Sequence, residues 1–442
     1  MARPSSNEPD ITPLLIDALA ETLGQVEIDG LVLLTGGASR ETWSFDAVDT
    51  QGTRTPLIMQ RNRGGTSLGV AFDVEDRLLT AATRAGVPIP EVVVGADGCA
   101  ELGSARITRR IEGETLAPRI IRGDEFAQAR LVLTSQMAAA LASIHSIPVD
   151  EAEGLAEDDP LTQLRFGLDM LGVVSPAFEL ALRWLEQNRP AAPRRTVVHS
   201  DFRVGNLMVD QTGLLAVLDW ELAHVGDPIE DLGWLCVRAW RFGGEGVVGG
   251  IGDVASLLAA YKESAGIAVT EDELRWWVIA GTLRWGMICA VQASQHLNGH
   301  VKSVELVTIG RRIAENEHDL LDLLSVPRMD PERPLPIVDH GRSSASELVA
   351  AVRDHLSDRV MPKLAKGDAF KVRVATNALA MVERELAATA PSAFDIDEPG
   401  LASRIRSGED LNDSELADVR AAVTARILVS NPSWVSAQAP EW

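Results

Sequence analysis

The stretch His199-Ser-Asp-Phe-Arg-Val-Gly-Asn206 decides the fold of this chain. It follows a short β-type run, Thr196 to Val198, and precedes an apolar run, Leu214 to Leu218, that ends at Asp219. The pattern predicts a loop between two strands, with a further carboxylate at the end of the second strand. A His-x-Asp triplet alone is more often a turn held by side-chain hydrogen bonds. The addition of Asn206 and Asp219 favours a catalytic loop.

The side chains of this pattern suit phosphoryl transfer. A carboxylate such as Asp201 can orient and deprotonate an attacking hydroxyl. Asn206 offers an amide oxygen and Asp219 a carboxylate, and Mg²⁺ accepts such ligands while phosphates and water complete its coordination. We therefore predict Asp201 as the catalytic base and Asn206 and Asp219 as metal ligands. Arg203 is predicted to contact an anionic acceptor or the transferred phosphoryl group.

Upstream of this stretch, β-type runs alternate with glycine-rich turns between about Leu31 and Arg110. One helix interrupts them, predicted over Phe72 to Ala85 and ended by Gly86 and two following prolines. We expect an antiparallel sheet with one helix, which together make a small lobe. The β runs are Leu31 to Leu34, Trp43 to Val48, Leu57 to Met59, Val92 to Val94 and Arg106 to Thr108.

Downstream, helical periodicity dominates from Phe126 to Ser325, and four prolines within Pro327 to Pro336 indicate a linker. Beyond the linker, Ser344-Ala-Ser-Glu347 is typical of a capping box at the start of a helix. These changes predict an N-terminal lobe at residues 1–110, a helical C-terminal lobe at 111–326, a linker at 327–343 and a separate helical domain at 344–442.

The composition is that of a folded protein with a strong acidic excess. The 442 residues are 46% hydrophobic, and 41 Lys and Arg stand against 64 Asp and Glu, for a formal net charge of −23. This charge repels nucleic-acid backbones and anionic lipids, so neither is an expected partner. Cys99, Cys236 and Cys289 show no metal-type spacing, and no apolar run reaches the length of a membrane span. We expect a cytoplasmic location and leave a homodimer open.

From Val197 to Leu235 the chain resembles the aminoglycoside phosphotransferase family, whose fold is similar to that of protein kinases. The family pattern His-x-Asp-x-x-x-x-Asn matches Asp201 and Asn206, and its Ile/Leu-Asp-Trp matches Asp219. In that family these residues are the catalytic Asp and the metal ligands. The resemblance implies an α+β, bilobal protein-kinase-like fold, with an antiparallel β N-lobe and a mainly helical C-lobe, followed by a small all-α domain.

Two further segments carry the resemblance. Gly226-Asp-Pro-Ile-Glu-Asp231-Leu is similar to the family's Gly-Asp-Pro-x-x-Asp-Leu, and its carboxylates Asp227 and Asp231 are expected to brace the catalytic loop. Glu221 makes the chain most similar to the kinase-like domain of acyl-CoA dehydrogenase 10 and 11 type proteins, a branch implicated in phosphorylating hydroxyacyl-CoA esters. The segment from about Ser344 resembles a short helical domain of uncharacterised function that follows such kinase-like domains.

The resemblance also implies a nucleotide loop, matched by Thr35-Gly-Gly-Ala-Ser-Arg-Glu-Thr42 between two strand runs. Gly36 and Gly37 would let backbone N–H groups approach phosphate, and Ser39 would donate a further hydrogen bond. Taken alone, Gly-Gly-Ala-Ser is more often a hairpin turn. Its position upstream of the catalytic loop favours the phosphate-binding interpretation, with Mg²⁺ as cofactor and ATP or GTP as co-substrate.

The chain departs from the family on the third strand, where a Lys or Arg should hold the phosphates and Gln60 stands instead. Arg61 is adjacent, but neighbouring residues of a strand point to opposite faces, so Arg61 substitutes only if the strand is bulged or shifted by one. Glu75 matches the helix Glu that pairs with this cation, and the alternative is an exposed helix carboxylate. Arg61 and Glu75 complete the predicted nucleotide-binding residues.

The expected activity is that of a small-molecule kinase acting on a hydroxyl acceptor. The favoured acceptor is a hydroxyacyl-CoA or similar metabolite, because of Glu221 and the overall resemblance. An aminoglycoside-type antibiotic kinase and a nucleotide-binding pseudokinase or scaffold stay open as alternatives. Gln60 favours the pseudokinase, whereas the complete set of Asp201, Asn206 and Asp219 favours the enzyme.

Overall fold

A computed structural model describes residues 11–34, 40–62, 69–191, 194–298, 300, 306, 309–328, 349, 352–388 and 396–436. The chain forms two compact units, one of Met1–Asp158 with Ala192–Leu274 and the other of Asp159–Ala191 with Arg275–Trp442. Among the described residues no helix is both long and apolar enough to span a bilayer. The predicted linker and the predicted capping box at Ser344 to Glu347 fall mostly or wholly outside the described residues.

The first unit begins with a helix and a five-stranded antiparallel sheet, in which the strands lie side by side in the chain order first, second, third, fifth and fourth. All five predicted runs are strands, and four of them extend beyond the predicted bounds because the hydrogen-bonded ladder continues past the apolar residues. Helix α1 precedes the predicted runs and is an addition to the expected lobe. The bounds are α1 Thr12–Leu23, β1 Val26–Leu34, β2 Arg40–Asp49, β3 Arg54–Asn62, β4 Val92–Val94 and β5 Ala105–Arg109.

One face of this sheet holds the core of the N-terminal part. Trp43 and Phe45 alternate with polar residues on β2 and are buried, as strand geometry requires for a face turned inward. Leu15 and Leu19, one helical turn apart on α1, pack into the same cluster. The sheet therefore has one covered face on which α1 is fixed.

Helix α2, Phe72–Arg84, confirms the predicted helix to within one residue. It ends where Gly86 adopts a positive φ of 80°, a conformation that residues with a Cβ rarely adopt. Glu75 lies in its first turn and is buried, with 1% of its side chain exposed. The alternative of an exposed helix carboxylate at Glu75 is therefore wrong.

The rest of the first unit is helical apart from two small antiparallel sheets that flank the predicted catalytic loop. In one, β6 pairs with β9, Thr196 opposite Gly226, and in the other β7 pairs with β8, Leu207 opposite Val217. The elements are α3 Ala117–Arg122, α4 Ala127–His145, β6 Thr196–Val198, β7 Leu207–Val209, β8 Leu214–Val217, β9 His224–Gly226, α7 Ile229–Cys236 and α8 Val254–Ala265.

The second unit is helical throughout its described residues, and it includes most of the long helix α9. Its C-terminal helices α11 to α14 belong to the same compact unit as residues 159–191 and 275–328. The predicted boundaries of the C-terminal domain remain a prediction. The helices are α5 Pro160–Met170, α6 Pro176–Gln187, α9 Glu271–Leu297, α10 Ile313–Leu323, α11 Lys366–Ala387, α12 Glu398–Arg406, α13 Asp413–Ser430 and α14 Pro432–Ser436.

Buried charges join the C-terminal helices to α10. Arg420 of α13 forms an ion pair with Asp322 at 2.9 Å and donates hydrogen bonds to the backbone carbonyls of His318 and Val326. Arg426, also of α13, pairs with the buried Glu317 at 3.1 Å. A buried charge without its partner is strongly unfavourable, so these pairs restrict how α13 can lie on α10.

We predict that Arg420→Met lowers the free energy of unfolding by roughly 3 kcal/mol, because it leaves Asp322 and two backbone carbonyls without a buried donor. Urea denaturation measures this difference. Arg328→Met is the matched control, since Arg328 also pairs with Asp322 but is 43% exposed. The control is expected to lose less than about 1 kcal/mol. Equal losses in the two variants would contradict the importance of burial at Arg420.

Candidate active site

The backbone of the predicted catalytic loop is held by the buried carboxylate of Asp231 on α7. The amide of His199 donates to Asp231 Oδ2 at 2.8 Å and that of Ser200 to Oδ1 at 2.7 Å. His145 Nε2 lies 3.1 Å from Oδ2. Burial by itself would raise the pKa of Asp231, but the bonds from His145 and His199 hold that pKa below its usual range. Asp231 therefore braces the loop, as the sequence predicts.

His199 links the loop to the strand end that carries Asp219. Its Nε2 lies 3.0 Å from the carbonyl oxygen of Leu218, which can only accept, so Nε2 carries a proton. Its Nδ1 accepts the backbone N–H of Asp201 at 3.2 Å. Complete burial lowers the pKa of His199, which favours the neutral ring that these two bonds require. His199 therefore has a positioning role.

Two residues of the site have strained backbones. Ser200 has φ of 68° and Asp219 has φ of 64°, in the left-handed region that side chains with a Cβ rarely adopt. This conformation costs on the order of 1–2 kcal/mol per residue. Each strained residue lies beside or at a predicted catalytic or metal-binding carboxylate, which is where such strain is commonly found.

From the described residues, the carboxylate of Asp201 accepts three hydrogen bonds. Asn206 Nδ2 donates to Oδ2 at 2.6 Å, and Trp234 Nε1 and Arg203 Nε donate to Oδ1 at 2.9 and 3.1 Å. The guanidinium of Arg203 also lies over the ring of Trp240, 4.9 Å from its centroid. The structure thus brings Asp201, Asn206 and Arg203 together. Trp234 lies outside the residues predicted from the sequence, although it stands only two residues after the motif from Gly226 to Leu232.

Asn206 and Asp219 are connected through the backbone. Leu218, the residue before Asp219, donates its N–H to the carbonyl oxygen of Asn206 at 2.9 Å. Asn206 Nδ2 donates to two oxygens of Asp201, the backbone carbonyl oxygen at 3.0 Å and Oδ2 at 2.6 Å. The amide oxygen, Oδ1, therefore points away from Asp201. This orientation suits the proposed use of that oxygen as a metal ligand.

Asp219 is half-buried beside other carboxylates. Burial, followed by the negative charges of Glu221 and Asp201, raises the pKa of Asp219 to about 7. Arg40 and Arg203 act in the opposite direction but do not cancel the shift. Within the described residues, no group of three His, Cys, Asp or Glu side chains is arranged to hold a metal ion unaided. A cation at Asp219 would therefore need ligands other than these residue types, such as Asn206 and phosphate oxygens.

Glu75 binds two arginines, neither of which is the predicted Arg61. Its Oε2 lies 2.7 Å from Arg40 Nη2 and its Oε1 lies 2.6 Å from Arg106 Nη2. Arg61 instead pairs with Glu41 at 2.5 Å. Strands β2 and β3 pair in continuous register from Arg54 to Asn62, so the bulge or shift that would turn Arg61 to the other face does not occur. The structure places Arg40 and Arg106, not Arg61, beside Glu75.

Arg40 lies outside the residues predicted from the sequence, because the family pattern directs attention to the third strand. It is the first residue of β2, its side chain is 5% exposed, and its Nε lies 3.4 Å from Glu221 Oε2. The signal in the sequence is its position within the predicted nucleotide loop, Thr35 to Thr42. That loop's residues Gly36, Gly37 and Ser39 lie outside the described residues.

Comparison with known proteins identifies two regions of the chain. The profile of the phosphotransferase enzyme family (APH) matches residues 31–277, more than half of the chain. A second profile, that of a domain of unknown function (DUF6285), matches residues 362–434. The predicted resemblance to the aminoglycoside phosphotransferase family and the presence of a second C-terminal domain type are confirmed.

Individual relatives include two kinds of protein. Mouse acyl-CoA dehydrogenase family member 10 is 28% identical over 214 residues, which cover 46% of this chain and 20% of the mouse protein. Aminoglycoside 3'-phosphotransferase from Escherichia coli is 27% identical over 221 residues, which cover 45% of this chain and 79% of that protein. The chain thus spans about a fifth of the length of the mouse relative.

A solved structure supports the fold. A candidate aminoglycoside phosphotransferase from Ralstonia eutropha superimposes with a TM-score of 0.57 at 20% identity, over 71% of this chain and 98% of that one. At this identity the likeness shows the fold. The predicted α+β class, with an antiparallel N-terminal sheet and a mainly helical remainder in the arrangement of this kinase-like family, is confirmed.

The raised pKa of Asp219 predicts a pH-dependent effect of Asp219→Asn. At pH values between 3.8, the ordinary pKa of this carboxyl, and about 7, its pKa in the folded chain, the unfolded chain has released a proton that the folded chain keeps. The contribution of Asp219 to stability therefore falls as pH rises through this window, and the Asn variant escapes the loss. The free energy of unfolding of Asp219→Asn, taken relative to that of the unmodified chain, should therefore be higher at pH 8 than at pH 5. We expect this difference to be on the order of 1–3 kcal/mol.

Urea denaturation at the two pH values measures this gain. Asp17→Asn on α1 is the control, because Asp17 is an exposed carboxylate. Its effect on the free energy of unfolding should be the same at both pH values. A pH-independent effect of Asp219→Asn would show that the Asp219 carboxyl ionises in its ordinary range.

Proposed function

The chain belongs to the phosphotransferase enzyme family, and we propose that it transfers the γ-phosphoryl group of ATP or GTP to a hydroxyl of a small molecule. Asp201 is the proposed base, and Asn206 and Asp219 are the proposed metal ligands. This assignment matches the family pattern residue by residue and agrees with the distances around Asp201.

The hydrogen bonding of Asp201 is the observation that carries the proposal. An ionised carboxylate offers about four lone-pair sites. Oδ1 accepts from Trp234 and Arg203, whereas Oδ2 accepts from Asn206. Donors in the described part of the chain thus use three sites, and the fourth, on Oδ2, is suited to accept the proton of an acceptor hydroxyl.

The proposed reaction is an in-line displacement at phosphorus. The acceptor oxygen forms a bond to the γ-phosphorus, and the bond between that phosphorus and the β–γ bridging oxygen breaks. The hydroxyl proton passes to Asp201 Oδ2, and the nucleoside diphosphate leaves with the electron pair of the broken bond. Arg203, which donates to Asp201 at 3.1 Å, holds the carboxylate while its own charge faces the reacting groups.

The residues at the strand end fit a divalent cation. Asp219 is half-buried beside Glu221 and Asp201, and its removal from water, followed by the negative charge of these two carboxylates, raises its pKa to about 7. Asn206 Oδ1 and the Asp219 carboxylate would hold Mg²⁺, which would neutralise charge on the phosphates when bound. The positive charge of such an ion would favour the ionised form of Asp219.

We further propose a hydroxylated metabolite of the hydroxyacyl-CoA class as acceptor. Glu221 and the similarity to acyl-CoA dehydrogenase family member 10 support this class. Arg203, stacked on Trp240, would contact an anionic group of such an acceptor. The relative from Escherichia coli, named aminoglycoside 3'-phosphotransferase, supports the competing class of aminoglycoside acceptors.

An acceptor screen separates these classes. The full chain is incubated with Mg²⁺, ATP or GTP, and panels of hydroxyacyl-CoA esters and aminoglycosides, and mass spectrometry detects the gain of one phosphate. Phosphorylation of the CoA esters supports the proposal. Phosphorylation of aminoglycosides alone would overturn the acceptor class, and nucleotide binding without transfer to any acceptor would favour the pseudokinase. An unchanged KM for the acceptor in Arg203→Ala would contradict the role of Arg203.

We predict that Asp201→Asn lowers kcat by roughly 10²- to 10⁴-fold, because the amide cannot take the hydroxyl proton. Steady-state kinetics with the identified acceptor measure this loss, and nucleotide binding should persist. Asp17→Asn, on the exposed face of α1, is the control for the loss of one negative charge. Unchanged turnover in Asp201→Asn would remove Asp201 from the reaction.

A further inference from the structure

The sheet carries no cation at the position where phosphates are expected to be held. Gln60 occupies it, and Arg61 on the opposite side of β3 pairs with Glu41. We propose that Arg40, the first residue of β2, provides the cation that binds the α- and β-phosphates of a nucleoside di- or triphosphate. This inference rests on the proposed function and names the residue that replaces the missing third-strand cation.

Arg40 is held in place by contacts on several sides. Glu75 Oε2 lies 2.7 Å from its Nη2, and the ring of Phe72 lies beneath the guanidinium at 4.2 Å from the ring centroid. The same Nη2 donates to the carbonyl oxygen of Val70 at 3.3 Å. Only 5% of the side chain is exposed. Such a guanidinium has one defined direction and loses little side-chain entropy when it binds an anion.

Two nitrogens of Arg40 have no hydrogen-bond partner among the described residues. Both Nη1 and Nε are buried, and Nε lies 3.4 Å from Glu221 Oε2, so Nη1 is the nitrogen left for a ligand. A buried donor without a partner costs about 1–3 kcal/mol, and a bound ion is one way in which such a donor is satisfied. Arg40 carries a full positive charge, and the complementary ligand is an anion. Phosphate oxygens suit a guanidinium especially well.

The position of Arg40 also matches a phosphate site. Its Nε lies 3.4 Å from Glu221, and the charge of Asp219 acts on it, so it adjoins the proposed metal ligand. It follows Ser39 directly in the sequence, and Ser39 belongs to the predicted nucleotide loop. A nucleotide whose phosphates reach a metal ion at Asp219 would bring its charge close to Arg40.

Arg106 has a different role. It lies opposite Gln60 in the register of β3 and β5, and its Nη2 contacts both Gln60 Oε1 at 3.2 Å and Glu75 Oε1 at 2.6 Å. Its Nη1 pairs with Asp76 at 3.1 Å. Both terminal nitrogens of Arg106 are therefore engaged by the protein. Arg106 is a positioning residue that holds Glu75, and Glu75 in turn holds Arg40.

Nucleotide binding tests the proposal without reference to turnover. Isothermal titration calorimetry compares ADP with adenosine for the full chain and for Arg40→Met, in the presence of Mg²⁺. Arg40→Met should weaken ADP binding at least about tenfold and change adenosine binding less than about twofold, since only ADP has the phosphates that Arg40 contacts. Arg40→Lys, which keeps the charge, should recover part of the ADP affinity.

Three further variants make the outcome decisive. Arg54→Met on β3 is the matched control, because Arg54 is a surface arginine that pairs with Asp29 and Asp46, and it should leave both affinities unchanged. In Arg40→Met, the Glu75 carboxylate loses one of its two arginine partners. The double variant Arg40→Met, Glu75→Gln removes this carboxylate charge as well, and it should show the same selective loss of ADP affinity. Arg61→Met tests whether Arg61, the competing cation, binds the phosphates, and it should leave the ADP affinity unchanged.

The proposal is overturned if Arg61→Met weakens ADP binding and Arg40→Met does not. It is equally overturned if Arg40→Met, in a chain whose circular dichroism is unchanged, weakens ADP and adenosine by the same factor. These failures are separate from failure of the proposed function. If the chain binds ADP through Arg40 but phosphorylates no acceptor, only the enzymatic proposal is contradicted. If Arg40→Met keeps both its ADP affinity and its acceptor phosphorylation, only the Arg40 assignment is contradicted.

Discussion

The rest of the site depends on the buried carboxylate of Asp231, which accepts the backbone N–H groups of His199 and Ser200. Hydrogen bonds to a charged group contribute about 1.5–3 kcal/mol each, which exceeds the roughly 1–2 kcal/mol cost of one left-handed residue. Ser200 can therefore keep its strained backbone, and Asp201 is presented to the site instead of turning into the interior. The brace acts on the backbone, so its effect reaches every side chain of the loop. His199 extends this effect to Leu218 and hence to Asp219.

Charge distribution is the second organising feature. The chain is strongly acidic overall, and at the site Asp201, Asp219 and Glu221 lie close enough for the first and third to raise the pKa of the second. Arg40 offsets part of this charge from within the sheet. An excess of half-buried carboxylates is favourable for binding cations. A guanidinium whose Nη1 has no hydrogen-bond partner among the described residues is favourable for binding anions. A metal-nucleotide complex supplies both, which is why the two features are compatible in a single site.

The C-terminal helices illustrate how a second domain type can be integrated with its neighbour. The region that matches a domain of unknown function includes α13, whose Arg420 and Arg426 pair with carboxylates of α10. Ion pairs of this kind contribute little net stability compared with apolar contacts, but they strongly disfavour other arrangements. The helices that the sequence pattern predicts as a separate domain thus share one compact unit with the preceding helices.

The sequence by itself predicted the strands of the N-terminal sheet, helix α2 and the phosphotransferase family. Apolar alternation and glycine punctuation predicted all five strands and α2, and the spacing of Asp201, Asn206 and Asp219 predicted the loop that the structure brings together, because these signals are local along the chain. Only the tertiary structure decided which cation faces Glu75. Arg40 and Arg106 are 66 residues apart in sequence and meet on one carboxylate through strand pairing. The continuous register of β3 turns Arg61 away, and register is a property of paired strands that a single run of residues does not specify.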